Sequence, residues 1–205
     1  MRNISTYITE KLKINSTKPT HLYKPDSYDK LRATILDLID KRGLNADLND
    51  IDTSMIDTMN ALFQVSGNND NKFNGDISEW NVSNVTNLSH MFVNCVNFNS
   101  DISKWDVSKV VDISGMFLEC HKFNSDISAW NVSNVEDMSF MFGSCWSFNQ
   151  DISEWDVSKV EYMMYMFDEC RNFNYDLSNW NVSSLKKKQN MFYKCKSLEH
   201  KPSWY

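Results

Sequence analysis

The 205-residue sequence contains only five glycines and three prolines, and it lacks any long apolar run. Few glycines argue against a glycine-rich phosphate loop, and no stretch approaches the roughly 18 apolar residues of a membrane span. The 21 Lys and Arg residues are outnumbered by 27 Asp and Glu. This balance argues against a nucleic-acid partner, because such proteins need a basic surface to neutralise phosphates.

The N-terminus also lacks the apolar core of a signal peptide, which is about 7–15 residues long. We therefore predict a cytoplasmic protein without membrane insertion, with association to a cell surface or virion as the alternative.

Signatures of catalysis and metal binding are missing as well. Structural zinc sites use cysteine pairs roughly two to four residues apart. The cysteines here instead form one evenly spaced column: Cys95, Cys120, Cys145, Cys170 and Cys195. In a reducing compartment they are predicted to be buried free thiols. The four histidines, His21, His90, His121 and His200, stand at unrelated positions, and no Ser or Cys has an evident catalytic partner. The sequence therefore predicts no enzyme, catalytic residue, metal or cofactor.

The dominant feature of the sequence is a repeated phrase. "DISEWNVSNV" begins at Asp76 and returns with a period of 25 residues, so that its aspartates are Asp76, Asp101, Asp126, Asp151 and Asp176. Its tryptophans are Trp80, Trp105, Trp130, Trp155 and Trp180. An imperfect earlier copy, "DLNDIDTSMIDTMNALF", spans residues 47–63. A repeat of this length predicts a solenoid, because one unit cannot bury its apolar face alone.

Each unit, called a coil below, is predicted to contain a short strand, a corner and a helical turn. The strand follows from the inward Ile, Trp and Val of the phrase, and the turn from the spacing of apolar residues in "NLSHMFVNC". The tryptophan column is assigned to the core. The aspartate column resembles a calcium site, but we favour turn aspartates that accept backbone N–H groups.

The whole phrase, "DIS.W.VS.V...S.MF..C..FN", resembles the BspA-like bacterial leucine-rich-repeat family, in its variant with repeats of about 25 residues. The resemblance covers residues 47–198. It implies an α/β repeat fold, a right-handed leucine-rich-repeat-like solenoid of about six coils, and a role in protein interaction.

The predicted organisation places caps at both ends of the repeat. The amphipathic segment "DSYDKLRATILDLIDKRG" predicts a capping helix, and the lysines of "LKKKQN" predict a solvated end. Residues 1–25 form an N-terminal extension, either a flap on the capping helix or a docking peptide. The predicted boundaries are 26–46 for the capping helix, 47–198 for the repeat (coils 47–72, 73–97, 98–122, 123–147, 148–172 and 173–197) and 198–205 for the C-terminal cap.

Binding residues are expected where the repeats differ from one another. Interface energies are dominated by aromatic residues and Arg. On the middle coils, the residues of these types that the repeat does not require are Phe140, Trp146, Tyr162, Tyr165 and Arg171. The sequence thus predicts a non-enzymatic scaffold that binds another protein. The alternative is a surface or virion adhesin that binds glycans or a host surface.

Overall fold

A computed structural model describes residues 21–64 and 71–205. Most of the predicted N-terminal extension, residues 1–20, lies outside this description. In the described ranges the backbone forms one α-helix, α1 (Tyr28–Arg42), and isolated parallel β-bridges. Because the bridges join successive repeat units, pairing between neighbouring coils organises the molecule.

Helix α1 lies inside the segment predicted to cap the repeat. It follows Ser27, whose backbone is extended, and it carries Asp29 in its first turn, where the helix dipole favours negative charge. Gly43 ends the helix with a left-handed φ of 85° and donates its N–H to the carbonyl of Ile39. In the last turn, both terminal nitrogens of Arg42 donate to the carboxylate of Asp50.

One face of α1 packs on coil 1, where the six coils whose ranges are given above are numbered 1 to 6 from the N-terminus. The buried helix residues Leu31, Ile35 and Leu38 belong to the same apolar cluster as Leu48 and Leu62 of that coil. Their spacing of three and four residues places them on one side of the helix. The helix therefore closes the apolar interior at the N-terminal end.

Polar atoms of α1 also cover the backbone of coil 1. The guanidinium of Arg32 donates to the carbonyl of Leu62 at 2.7 Å and to that of Gln64 at 2.9 Å. The hydroxyl of Tyr28 donates to the carbonyl of Asn60 at 2.9 Å. These three carbonyls belong to every second residue of the segment. Helix α1 therefore supplies the hydrogen-bond donors for one edge of coil 1.

A single bridge ladder runs through the coils. It joins, in order, Thr58, Asn87, Asp112, Asp137, Tyr162 and Lys187. From Asn87 onward the ladder residues are 25 apart, so equivalent residues of consecutive repeats lie on neighbouring coils.

In the segment that directly follows each ladder residue, the hydrogen bonds between coils point one way along the stack, whereas those at the ladder itself, such as Val111 N–H to the Thr86 carbonyl, point the opposite way. In coil 2 the backbone N–H groups of Leu88, His90, Phe92 and Asn94 donate to the carbonyls of Asp112, Ser114, Met116 and Leu118 in coil 3. The equivalent donors of coils 3, 4 and 5 repeat this arrangement. The stack therefore has a carbonyl edge at coil 1 and an N–H edge at coil 6.

The segment that carries these donors follows consecutive turns. Two columns in it have positive φ: His90, Gly115, Phe140, Tyr165 and Asn190, and then Asn94, Glu119, Ser144, Glu169 and Lys194. This left-handed conformation costs a residue other than glycine roughly 1–2 kcal/mol. In coils 2–5 the hydrogen bonds to the next coil hold these residues in this conformation, and the resulting path brings the apolar side chains of each coil inward.

The interior consists of aromatic columns. Phe73, Phe98, Phe123, Phe148 and Phe173 stack with ring centroids 6.0–6.2 Å apart. A second phenylalanine column runs through Phe92, whose ring lies 5.2 Å from that of Phe63, 3.9 Å from that of Phe98 and 5.8 Å from that of Phe117. Trp80 and Trp105 stack with their ring planes 1° apart. Each coil thus packs identical rings against the next.

The C-terminal residues close the interior at the far end. The Trp204 ring lies 6.3 Å from that of Trp180, and its Nε1 donates to the carbonyl of Leu177. The Tyr205 ring meets Phe192 edge-on at 5.1 Å. Residues 198–205, predicted as a cap, therefore place aromatic rings under coil 6.

Candidate interaction surface

The aspartate column lies at turns between coils. In each case the carboxylate accepts the backbone N–H of the serine two residues later, the pairs being Asp76–Ser78, Asp101–Ser103, Asp126–Ser128, Asp151–Ser153 and Asp176–Ser178. The hydroxyl and the N–H of Ser103 lower the pKa of Asp101, because both hydrogen bonds favour the ionised form. Within residues 21–64 and 71–205 no three His, Cys, Asp or Glu side chains form a group suited to a metal ion.

A second polar column links neighbouring coils directly. The side-chain oxygen of Asn74 accepts the backbone N–H of Asn99, and the pattern continues through Asn124, Asn149 and Asn174 to the N–H of Glu199. These asparagines therefore hold one coil to the next.

The cysteines of the repeated column make hydrogen bonds between neighbouring coils. All five thiols are free, and four of them are buried. The Sγ atoms of Cys120, Cys145, Cys170 and Cys195 donate to phenylalanine carbonyls of the preceding coil at 2.7–3.0 Å. Burial raises the pKa of the Cys195 thiol to about 12. A thiol held in its neutral form is a poor nucleophile, because the thiolate is the reactive species.

The tryptophan column is buried, each ring being 4 % exposed. Every Nε1 donates to a backbone carbonyl of the preceding coil: Trp80 to Leu48, Trp105 to Ile77, Trp130 to Ile102, Trp155 to Ile127 and Trp180 to Ile152. These rings present no open face to a ligand.

Two of the predicted binding residues form an exposed ring pair. Phe140 and Tyr165 stack at 4.9 Å, with ring planes 8° apart. Phe140 is 37 % exposed, although it is a large apolar residue. The Nδ2 group of Asn190 donates to the Tyr165 hydroxyl at 2.7 Å. Asn190 thereby fixes the orientation of the tyrosine at the rim of the pair.

Two other predicted residues form a second column in contact with a histidine. The Trp146 ring stacks on His121 at 3.6 Å, and the guanidinium carbon of Arg171 lies 4.2 Å from the Trp146 centroid. Both faces of the indole are therefore covered. Arg171 also pairs with Glu169 at 3.4 Å, and Glu169 pairs with Lys194.

Tyr162 is separate from these columns. It is half-buried in the bridge ladder between Asp137 and Lys187. In the described part of the chain, no hydrogen bond or ring contact joins Tyr162 to the other four predicted residues. We define the aromatic patch as Phe140, Trp146, Tyr165 and Arg171.

The sequence reasoning missed three residues that shape this surface. His121 and Asn190 stand in the variable columns, and their signal was the shared 25-residue register with Trp146 and Tyr165. Glu169 connects Arg171 to Lys194 but stands outside the columns from which the binding residues were predicted.

The stacked rings and coil-to-coil hydrogen bonds are those of a tandem-repeat protein. The chain belongs to the family described as Mycoplasma protein of unknown function, DUF285, whose model matches residues 37–145 and 102–205. The two overlapping matches confirm the predicted tandem repeat. No curated protein and no solved structure matches the chain. Within the described residues, no helix has the length and apolar character that a membrane crossing requires.

Proposed function

We propose that this protein is a non-enzymatic scaffold, a leucine-rich-repeat-like solenoid that binds another protein through the aromatic patch. The proposal is supported by the different roles of the constant and the variable columns of the repeat. The constant Asp, Asn, Cys and Trp side chains direct their hydrogen bonds within the chain, whereas the patch residues vary from coil to coil. The resemblance to BspA-like leucine-rich-repeat proteins points in the same direction.

The observation that carries the proposal is the exposure of Phe140, which stacks on Tyr165. Fully buried phenylalanines fill the interior columns, but Phe140 is 37 % exposed. Its stacking on Tyr165 limits its motion, so little rotamer freedom remains to be lost when a partner binds. Rigid aromatic and Arg side chains of this kind are typical of interface hot spots.

The structure favours a protein partner over a glycan. A sugar platform requires an open aromatic face, and Trp146 has one face on His121 and the other under Arg171. Phe140 and Tyr165 also cover each other on one side. These rings offer edges and partial faces, which suit side chains of a protein better than the flat face of a sugar ring.

The test is quantitative co-purification with a stoichiometric, identified partner. We expect Phe140→Ala combined with Tyr165→Ala to weaken binding by about 2 kcal/mol or more, roughly thirtyfold. The matched control is Lys104→Ala combined with Glu154→Ala, which changes exposed residues of the repeated phrase. Loss of binding in the control but not in the aromatic variant would place the binding surface elsewhere.

A further inference from the structure

The C-terminal edge of the stack leaves backbone donors unsatisfied. In each of coils 2–5, the backbone N–H groups of four residues, spaced two apart, donate to carbonyls of the next coil. Their equivalents in coil 6 are the N–H groups of Lys188, Asn190, Phe192 and Lys194. For none of these four does the described part of the chain contain a hydrogen-bond acceptor within reach. We call residues 186–194 the terminal edge.

The opposite end of the stack shows how such an edge is satisfied. The alternate carbonyls of coil 1 accept hydrogen bonds from Tyr28 and Arg32 of α1. At the C-terminal end, the aromatic rings of Trp204 and Tyr205 cover the interior instead. Among the described residues, one hydrogen bond joins these two residues to the terminal edge, from the Lys188 side chain to the Trp204 carbonyl. No described residue accepts from the N–H row itself, which lies beside the exposed side chains of Gln189, Asn190 and Tyr193.

The terminal edge is also basic, in contrast to the rest of the chain. Residues 186–205 contain six lysines and one glutamate, although the whole protein carries a net charge of −6. Lys187 and Lys196 are exposed, and no carboxylate of the described residues lies within ion-pair distance of either. The edge therefore combines open N–H donors with uncompensated positive charge, and both attract an anionic segment.

Coil 5, which packs on the terminal edge, shows which side chains pair with the lysines of that edge. Glu161 pairs with Lys186 at 2.6 Å, and Glu169 pairs with Lys194 at 2.5 Å. The two glutamates are eight residues apart, and three N–H groups between them, together with that of Glu169, donate to carbonyls of the terminal edge. The lysine-rich segment thus has an acidic, backbone-paired neighbour on one side only.

We propose that the terminal edge binds an acidic segment of a partner protein, whose backbone carbonyls accept the N–H groups of Lys188, Asn190, Phe192 and Lys194. The segment carries carboxylates spaced like Glu161 and Glu169, so that it lies on the lysines as coil 5 does. As in β-strand addition, backbone hydrogen bonds provide affinity and side chains provide specificity, but here the added segment follows the turns of a repeat unit and not a strand. Head-to-tail pairing with a second copy is blocked, because α1 already occupies the carbonyl edge of coil 1.

The terminal edge adjoins the aromatic patch, because Asn190 donates to the Tyr165 hydroxyl and Glu169 pairs with both Arg171 and Lys194. Its four backbone donors belong to none of the patch residues, so its test does not depend on the proposed function. The probe is a synthetic peptide of residues 158–172 with Cys170→Ser, added to the full chain. We expect the amides of Lys188, Asn190, Phe192 and Lys194 to exchange with solvent faster than their equivalents in coil 5 (Met163, Tyr165, Phe167 and Glu169). Adding the peptide should slow exchange at those four amides.

Two matched comparisons separate charge recognition from apolar adhesion. A peptide with Glu161→Gln and Glu169→Gln keeps the apolar residues and should bind about three- to thirtyfold more weakly, as should a chain with Lys187→Glu and Lys196→Glu. A chain with Lys104→Glu and Lys109→Glu has the same net charge and should bind almost as well as the unmodified chain. Binding should also weaken at about 1 M salt.

The inference is overturned if the four amides are already protected in the chain alone. It is equally overturned if the peptide protects a different region, or if both charge-reversed chains bind the peptide equally well.

Discussion

At the scale of single residues, Trp130 shows how one side chain connects two coils. It is 4 % exposed, and its Nε1 donates to the Ile102 carbonyl at 3.1 Å. Trp130→Ala leaves a cavity and an unsatisfied carbonyl, so we expect the free energy of unfolding to fall by about 3–5 kcal/mol. Urea unfolding measures this loss. Lys187→Ala, at an exposed position, should change it by less than about 0.5 kcal/mol; equal losses would contradict the core assignment.

The buried thiols predict a loss of stability in alkali. Burial raises the pKa of Cys145 and Cys170 well above the value of about 8.5 expected for the unfolded chain. A raised folded pKa leaves stability intact below about pH 8.5 and reduces it as the pH rises further, because only the unfolded chain then loses these protons.

We therefore expect the urea midpoint to fall between about pH 8.5 and pH 10. Cys145→Ala combined with Cys170→Ala should flatten this decline, even if the variant is less stable at pH 7. An unchanged slope would show that other groups cause the dependence on pH.

At the scale of the element, α1 stabilises the stack through a few polar contacts. Arg32 reaches the carbonyls of Leu62 and Gln64, which have no coil before them to supply donors. Arg32→Ala should lower the free energy of unfolding by about 1.5–3 kcal/mol, as loss of a charged hydrogen-bond donor usually does. Arg32→Lys should recover only part of it, because an ammonium cannot span several carbonyls.

The matched control on the same helix is Lys30→Ala. Lys30 forms a solvent-exposed pair with Asp26, four residues away, and its loss should lower the free energy of unfolding much less than the loss of Arg32. Thermal or urea unfolding of both variants provides the comparison. If Arg32→Ala costs no more than Lys30→Ala, the guanidinium does not cap the carbonyl edge.

At the scale of the whole molecule, each coil contacts its neighbouring coils. A substitution that destabilises one end of the stack should therefore affect mainly the coils near that end. In proteins built this way, stability is approximately a sum of units and of nearest-neighbour interfaces. Trp204→Ala removes the ring stacked on Trp180 and the donor to the Leu177 carbonyl. We expect a loss of about 1–2 kcal/mol, smaller than for the fully enclosed Trp130.

Amide exchange measures where that loss occurs. In the Trp204→Ala variant, exchange should quicken first in coil 6, at residues such as Leu185 and Met191, and remain nearly unchanged at Trp105 and Val110 in coil 3. A uniform increase over all coils would indicate that the described chain unfolds as one cooperative unit.

The repeat was predictable from sequence, and the family match confirms it. A constant period specifies which residues are equivalent, and in the structure equivalents such as Phe98 and Phe123 lie on neighbouring coils. Period alone does not specify the backbone path. The donor segment of each coil follows turns with positive φ at residues such as Phe140 and Tyr165. Aromatic side chains do not favour that conformation, so the sequence at these two positions did not predict it.

The candidate surfaces divide in the same way. From sequence alone, the 25-residue register predicted that Phe140 and Tyr165 are equivalent, as are Trp146 and Arg171. Only the tertiary structure shows that His121 covers the second face of Trp146. It also shows that Tyr162 lies in the bridge ladder, apart from the two aromatic columns. It alone also decides that the N–H groups of the terminal edge are the open ones. The physical reason is that periodicity determines which residues are neighbours, whereas hydrogen-bond direction and ring orientation depend on how the coils fold against one another.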